Sequence, residues 1–223
     1  MKLDFSSVWQ YWPFLYHGAL TTLKITAMAA VLGFILGVLL SLIKISKCKP
    51  LVWFGNFYTS IFRGTPLLVQ LCIVHFGLPQ LTGMTLTTMQ SGVLTFSLNS
   101  AAYISEIFRG GINAIDRGQY EAAMSLGVGY RDMMKDIILP QTMKAVLPPV
   151  ANEAITLVKD TALASTIGTV IDLMRSTSTT VNRLTDMTPF VVAALIYLIM
   201  TGVLTFGTGK LEKYFKKYDA KSA

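Results

Sequence analysis

Apolar runs of membrane length alternate with short charged or turn-rich stretches along this chain of 223 residues. A helix needs about 20 mostly apolar residues to cross a bilayer core. Ile25 to Ile43 carries no charge between Lys24 and Lys44 and predicts a first span, extended backward through Gly18 and Leu23. Leu51 to about Phe76 predicts a second, interrupted by Arg63-Gly64-Thr65-Pro66. No charge then occurs until Glu106, too far for one helix, and Gly77 to Thr88, with Pro79 and Gly83, supplies a turn. A third span is expected from about Thr88 to Phe108. A fourth, from about Thr142 to Ile167, contains Pro148-Pro149 and several charges. The fifth, Met187 to Gly209, lies between Asp186 and Lys210. The pattern predicts an all-α membrane protein with about five transmembrane helices.

Composition agrees: 52% of residues are hydrophobic and 14% charged, against about 25% charged in soluble domains. The net charge of +7 sits beside the apolar runs, so it reads as membrane orientation and not as nucleic-acid binding. Lys44, Lys47 and Lys49 follow the first span. Arg109, Arg117, Arg131 and Lys135 follow the third, and Lys210, Lys213, Lys216, Lys217 and Lys221 form the tail. Gly77 to Thr88 has no Lys or Arg, and the loop after span four has only Arg175 and Arg183. The positive-inside rule puts the N-terminus outside and the C-terminus inside. Met1-Lys2 precedes Asp4 and an aromatic stretch, Phe5 to Tyr16, which predicts an interfacial helix on the outer face in place of a cleaved signal. Cys48 and Cys72 fall at different depths, so no disulfide and no metal site is expected, and His17 and His75 are isolated.

The same charge count places Glu121-Ala122-Ala123 in the cytoplasm, followed by Gly127 and then Ile137-Ile138-Leu139-Pro140. Ala122 and Ala123 would let a helix approach a partner groove closely. Gly127 permits a left-handed helix end, Glu121 is expected near the helix N-terminus, and Leu139-Pro140 restarts a helix toward the membrane. This spacing resembles the EAA loop of the permease subunits of ATP-binding-cassette (ABC) importers. Arg63 to Gln70, then Tyr103, Glu106, Arg109-Gly110-Gly111-Ile112 and Gly118-Gln119, and Lys159 to Leu163 resemble the permeases for polar amino acids, the histidine, glutamine and arginine group. The resemblance runs from about Tyr16 to Tyr214, with Ala162 where serine is more usual.

The resemblance implies one permease domain over 1–223, its core at about 18–214, with the five-helix core of type I ABC importers. It implies a coupling region at 119–130, with Gln119, Glu121, Ala122, Ala123 and Gly127 facing a cytoplasmic ATPase dimer. ATP and Mg would belong to that dimer, because this chain has no phosphate loop and no catalytic cluster. A second permease subunit, an external solute-binding protein and a bacterial cytoplasmic membrane are implied with it. The cargo would be a polar amino acid, either basic (arginine, lysine, histidine) or glutamine.

Charges at membrane depth usually face a bundle interior or a cavity. Arg63, Glu106, Glu153, Lys159 and Asp160 are the candidates, with Gln70 and Asn99 as uncharged polar groups. Glu153, Thr156 and Asp160 share one helix face. Arg63 or Lys159 could pair with Glu153, Asp160 or Glu106. Unpaired Glu153 and Asp160 would favour a cationic cargo, and neutralised ones would allow glutamine. Gln70 and Asn99 could line a path or bond across helices. An ion-coupled transporter or a membrane scaffold is the alternative; the first leaves the Glu121 pattern unexplained.

Overall fold

The structure is a computed structural model that describes residues 4–168 and 170–219, with side chains through Lys213 apart from Ser7. Met1, Lys2 and Lys221, and the side chains of Lys216 and Lys217, lie outside the described residues. All regular structure among the described residues is helical.

The expected interfacial helix is divided. Phe5–Trp9 forms the short α1, whereas Trp12 opens α2, Trp12–Lys44, a single helix of about 50 Å. The aromatic lead-in is therefore half of a cap and half of the first span. Val8 packs with Leu15 and Ala19 in a cluster at the start of α2, and the Asp4 N–H donates to Thr188 Oγ1 at 3.0 Å.

The second span is not one helix. α3 covers Lys49–Gly64 and α4 covers Leu67–Thr82, bent by 105° at the break. α4 continues through the expected turn and ends at Gly83, whose φ of 73° closes it. α5, Thr88–Asn113, starts at a Thr87–Gln90 capping box. α6 is Arg117–Ser125. α7 spans 130–160, with a π-helical Met133–Ile138 inside it, and passes into a 3-10 turn at Thr161–Thr166. The expected restart at Leu139-Pro140 is instead a continuation. Proline inside an ordinary helix clashes with the carbonyl four residues back, and the wider π turn ends next to Pro140.

Between spans four and five lies an unexpected helix, α8, Leu173–Leu184. Its serines and threonines made it read as loop, but Ser176, Thr177 and Thr180 are buried. It packs on α2 and on α9, Thr188–Asp219. Asp172 caps it, accepting from the Met174 and Arg175 N–H groups at 3.2 and 3.0 Å. Burial pushes the Asp172 carboxyl up to about 6, against those hydrogen bonds.

Among the described residues, only α2 and Thr188–Lys213 are long and apolar enough to cross a membrane alone, with α3–α4 as a bent pair. The expected third and fourth spans exist as α5 and α7 but are too polar for that test. The reason lies in their position. α5 packs against α2, α3, α4 and α7, and its Ser91, Thr95, Ser97, Ser100 and Ser105 are buried, so they meet other helices in place of lipid. α2 approaches it through Gly33 and Gly37; a Cβ at Gly37 would lie 2.6 Å from Ile104 Cβ. This Gly-x-x-x-Gly spacing was a sequence signal for close helix packing.

Candidate functional site

The site begins at the α3–α4 break. Thr65 is extended, with φ −117° and ψ 147°, as a residue before proline prefers. Pro66 has no N–H, so the Phe62 carbonyl loses its helical partner. Gln70 Nε2 supplies the replacement, lying 2.8 Å from Phe62 O, 3.0 Å from Thr65 O and 2.9 Å from Thr65 Oγ1. Asn99 Nδ2 donates to Phe62 O and to Gln70 Oε1, both at 3.0 Å. Gln70 therefore bonds across helices, while Asn99 does that and also borders a cavity.

That cavity has a volume of about 380 Å³. Its polar wall is Thr65, Asn99, Tyr103, Glu153, Thr156 and Asp160, and Leu67 and Leu163 complete it. The shared face of Glu153, Thr156 and Asp160 thus meets the residue pair that stabilises the break. Among the described residues, no lysine or arginine lines the cavity. Lys159, next to Asp160 in the chain, is exposed and does not line it.

Arg63 belongs to a second cavity, about 600 Å³, bordered by Lys44, Asn56, Thr59, Glu106 and Arg109. Glu106 gathers the cations there. Its carboxylate pairs with Lys44, receives Arg109 Nε at 3.0 Å and Nη2 at 2.6 Å, and lies 3.8 Å from Arg63. Lys44 Nζ also donates to Thr59 Oγ1 at 3.0 Å. Of the pairings open to Arg63, the structure realises the one with Glu106. Lys44 was legible only as an inside charge, since its pairing with Glu106 joins residues far apart in the chain.

At the far end of α5 the chain forms α6. The Asp116 carboxylate caps it, accepting from the Gly118 N–H at 2.7 Å, so Glu121 lies mid-helix and not at the N-terminus. Gly127, with φ 73°, donates its N–H to Met124 O at 3.0 Å, and the Val128 N–H reaches Ala123 O at 3.0 Å. These are the paired bonds of a left-handed helix end. Gln119 accepts from Gln141 Nε2 at 3.3 Å. Ala123 is 2% exposed and packs against Met133 and Ile138. It spaces α6 from α7, with its side chain turned away from solvent. Outward surface comes from Glu121 and Ala122, and from Met124, Leu126 and Tyr130, which are 62%, 82% and 64% exposed. Sequence reasoning passed over Leu126, although an apolar residue directly before a helix-ending glycine was visible.

Residues 29–216 match the family described as binding-protein-dependent transport system inner membrane component. The arginine transport system permease protein ArtQ of Bacillus subtilis (strain 168) is 47% identical over 219 residues, 98% of this chain and 100% of that protein. The putative glutamine transport system permease protein GlnP of Rickettsia bellii (strain RML369-C) is 44% identical, covering 90% of this chain and 92% of its own. A crystal structure of an amino acid ABC transporter with histidines superposes with a TM-score of 0.91 at 37% identity, covering 96% of this chain and 100% of that one.

Proposed function

The chain belongs to the family of binding-protein-dependent transport system inner membrane components, and from that premise we propose that it carries basic amino acids, arginine foremost, through an ATP-driven importer. One observation supports the choice of cargo: a cavity walled by Glu153 and Asp160 with no lysine or arginine among the described residues that line it. Desolvated carboxylates need counter-charges, and arginine brings two cationic groups, an α-ammonium and a guanidinium with paired donors in a fixed fork. Glutamine, with its α-ammonium alone, would leave one of the two charges uncompensated. The relatives include an arginine and a putative glutamine permease protein, so the cavity's charge favours one of the two.

In this reading two permease subunits, alike or homologous, form the pathway in a bacterial cytoplasmic membrane. A solute-binding protein delivers cargo on the α8 side. ATPases holding ATP and Mg dock at 119–130 on the cytoplasmic side, which puts the N-terminus outside and the C-terminus inside. Closure of the ATPases moves α6, and α6 moves α7 through the contact of Ala123 with Met133 and Ile138. Glu153 and Asp160 lie on that same helix, so force and cargo meet in α7. Gln119, Glu121, Ala122 and Gly127 shape the docking element, and Leu126 is its most exposed apolar group. Leu126→Asp is expected to reduce co-purification of the ATPase several-fold while leaving the permease folded. Undiminished recovery and coupled transport would remove Leu126 from the interface.

The cargo assignment is tested on the complex of permease and ATPases in nanodiscs, without binding protein, so that the permease alone selects. Radiolabelled arginine is expected to bind saturably and to be displaced by lysine far better than by glutamine. Equal displacement by glutamine rejects the charge argument.

A further inference from the structure

The acidic cavity is incomplete as a site for an amino acid. It offers carboxylates for the two cationic groups of arginine, but the amide donors beside it are occupied. Gln70 Nε2 serves Phe62 and Thr65, and Asn99 Nδ2 serves Phe62 and Gln70. The complementary charge lies directly next door. Arg63 sits with its guanidinium 5.3 Å from the ring centre of Tyr103; Tyr103 borders the acidic cavity and Arg63 borders the basic one. Chain connectivity gives the same boundary, because Gly64 lines one cavity and Thr65 the other.

Among the cations of the second cavity, Arg63 is the least engaged. Lys44 is 2% exposed in its side chain and paired with Glu106, and Arg109 makes two hydrogen bonds to that carboxylate. Arg63 is 3.8 Å from Glu106, beyond hydrogen-bond distance, and its side chain is 45% exposed. Its pairing with Glu106 is therefore the loosest of the three, and its donors can turn to a second carboxylate. The first turn of α4 begins across the break at Leu67, adding partial positive charge from the other side.

Resting on the cargo reading above, we infer that Arg63 is the specificity-determining residue for the substrate's α-carboxylate. The cargo straddles the break, its cationic groups on Glu153 and Asp160 and its carboxylate against Arg63 and the start of α4. Leaning Arg63 away from Tyr103 costs little, since an exposed cation–π contact is worth about 0.5–1 kcal/mol.

The test uses the same nanodisc complex and compares arginine with argininamide, which keeps both cations and lacks the carboxylate. In the wild type, argininamide should compete at least ten-fold more weakly than arginine. Arg63→Gln should weaken arginine about ten-fold and leave argininamide unchanged. Arg63→Lys, which keeps the charge and loses the fork, should recover part of the difference. Equal loss of both ligands in Arg63→Gln means a structural role and overturns the inference. So does unchanged arginine binding, or a wild type that does not distinguish the two ligands or binds neither. Failure of the cargo reading has a different signature: Glu153→Gln with Asp160→Asn would then leave both ligands bound as in the wild type, whatever Arg63→Gln does.

Discussion

Glu106→Ala is expected to lower the stability of the permease by about 3–5 kcal/mol, the usual result of stranding a buried charge. The carboxylate joins three helices: α2 through Lys44, α3 through Arg63, and its own α5 through Arg109. Arg63 and Arg109 have side chains 45% exposed, so water can replace what they lose. Lys44, 2% exposed, cannot recover in that way and would keep only its bond to Thr59. The measurement is thermal unfolding of the purified complex in detergent, followed by size-exclusion chromatography. A companion variant separates charge from shape. Lys44→Met combined with Glu106→Leu removes both charges together, which is often near neutral, and should restore most of the lost stability. A double variant as unstable as Glu106→Ala would show that the packing of α2 on α5, and not the ion pair, sets the stability here.

Glu153→Gln with Asp160→Asn is expected to weaken arginine binding at least about 30-fold, because losing one partner of a desolvated charge pair costs about 2–5 kcal/mol and each 1.4 kcal/mol is a factor of ten. Glutamine should then compete with arginine on nearly equal terms, since both side chains would face neutral amides. The readout is the ratio of the two competition constants in nanodiscs, which a general loss of folding would not shift. A ratio that stays at its wild-type value would show that the two carboxylates do not select the cargo.

Much of the fold was legible because lipid imposes a simple rule. Apolar length predicted α2 and α9. Polar helices within the bundle obscured the rest. α8 read as loop because Ser176, Thr177 and Thr180 look like surface, yet they are buried against neighbours. The break in span two was marked by Gly64 to Pro66, but its stabilisation by Gln70 and Asn99 depends on α5 lying alongside. The face shared by Glu153, Thr156 and Asp160 followed from helical period alone. Their separation from Arg63 did not, because period says nothing about which neighbouring helix presents a cation.

By itself, the sequence determined a helical membrane protein and a loop spacing that ties it to a transporter family, because chain hydropathy and local backbone chemistry act over a few residues. The tertiary structure decided which charges meet. It gave Glu106 to Lys44, turned Ala123 inward onto Met133 and Ile138, and left Glu153 and Asp160 facing a cavity that, among the described residues, no lysine or arginine lines. The physical reason is range. A hydrogen bond or ion pair forms within about 3–4 Å, and only the packing of distant helices brings such groups that close.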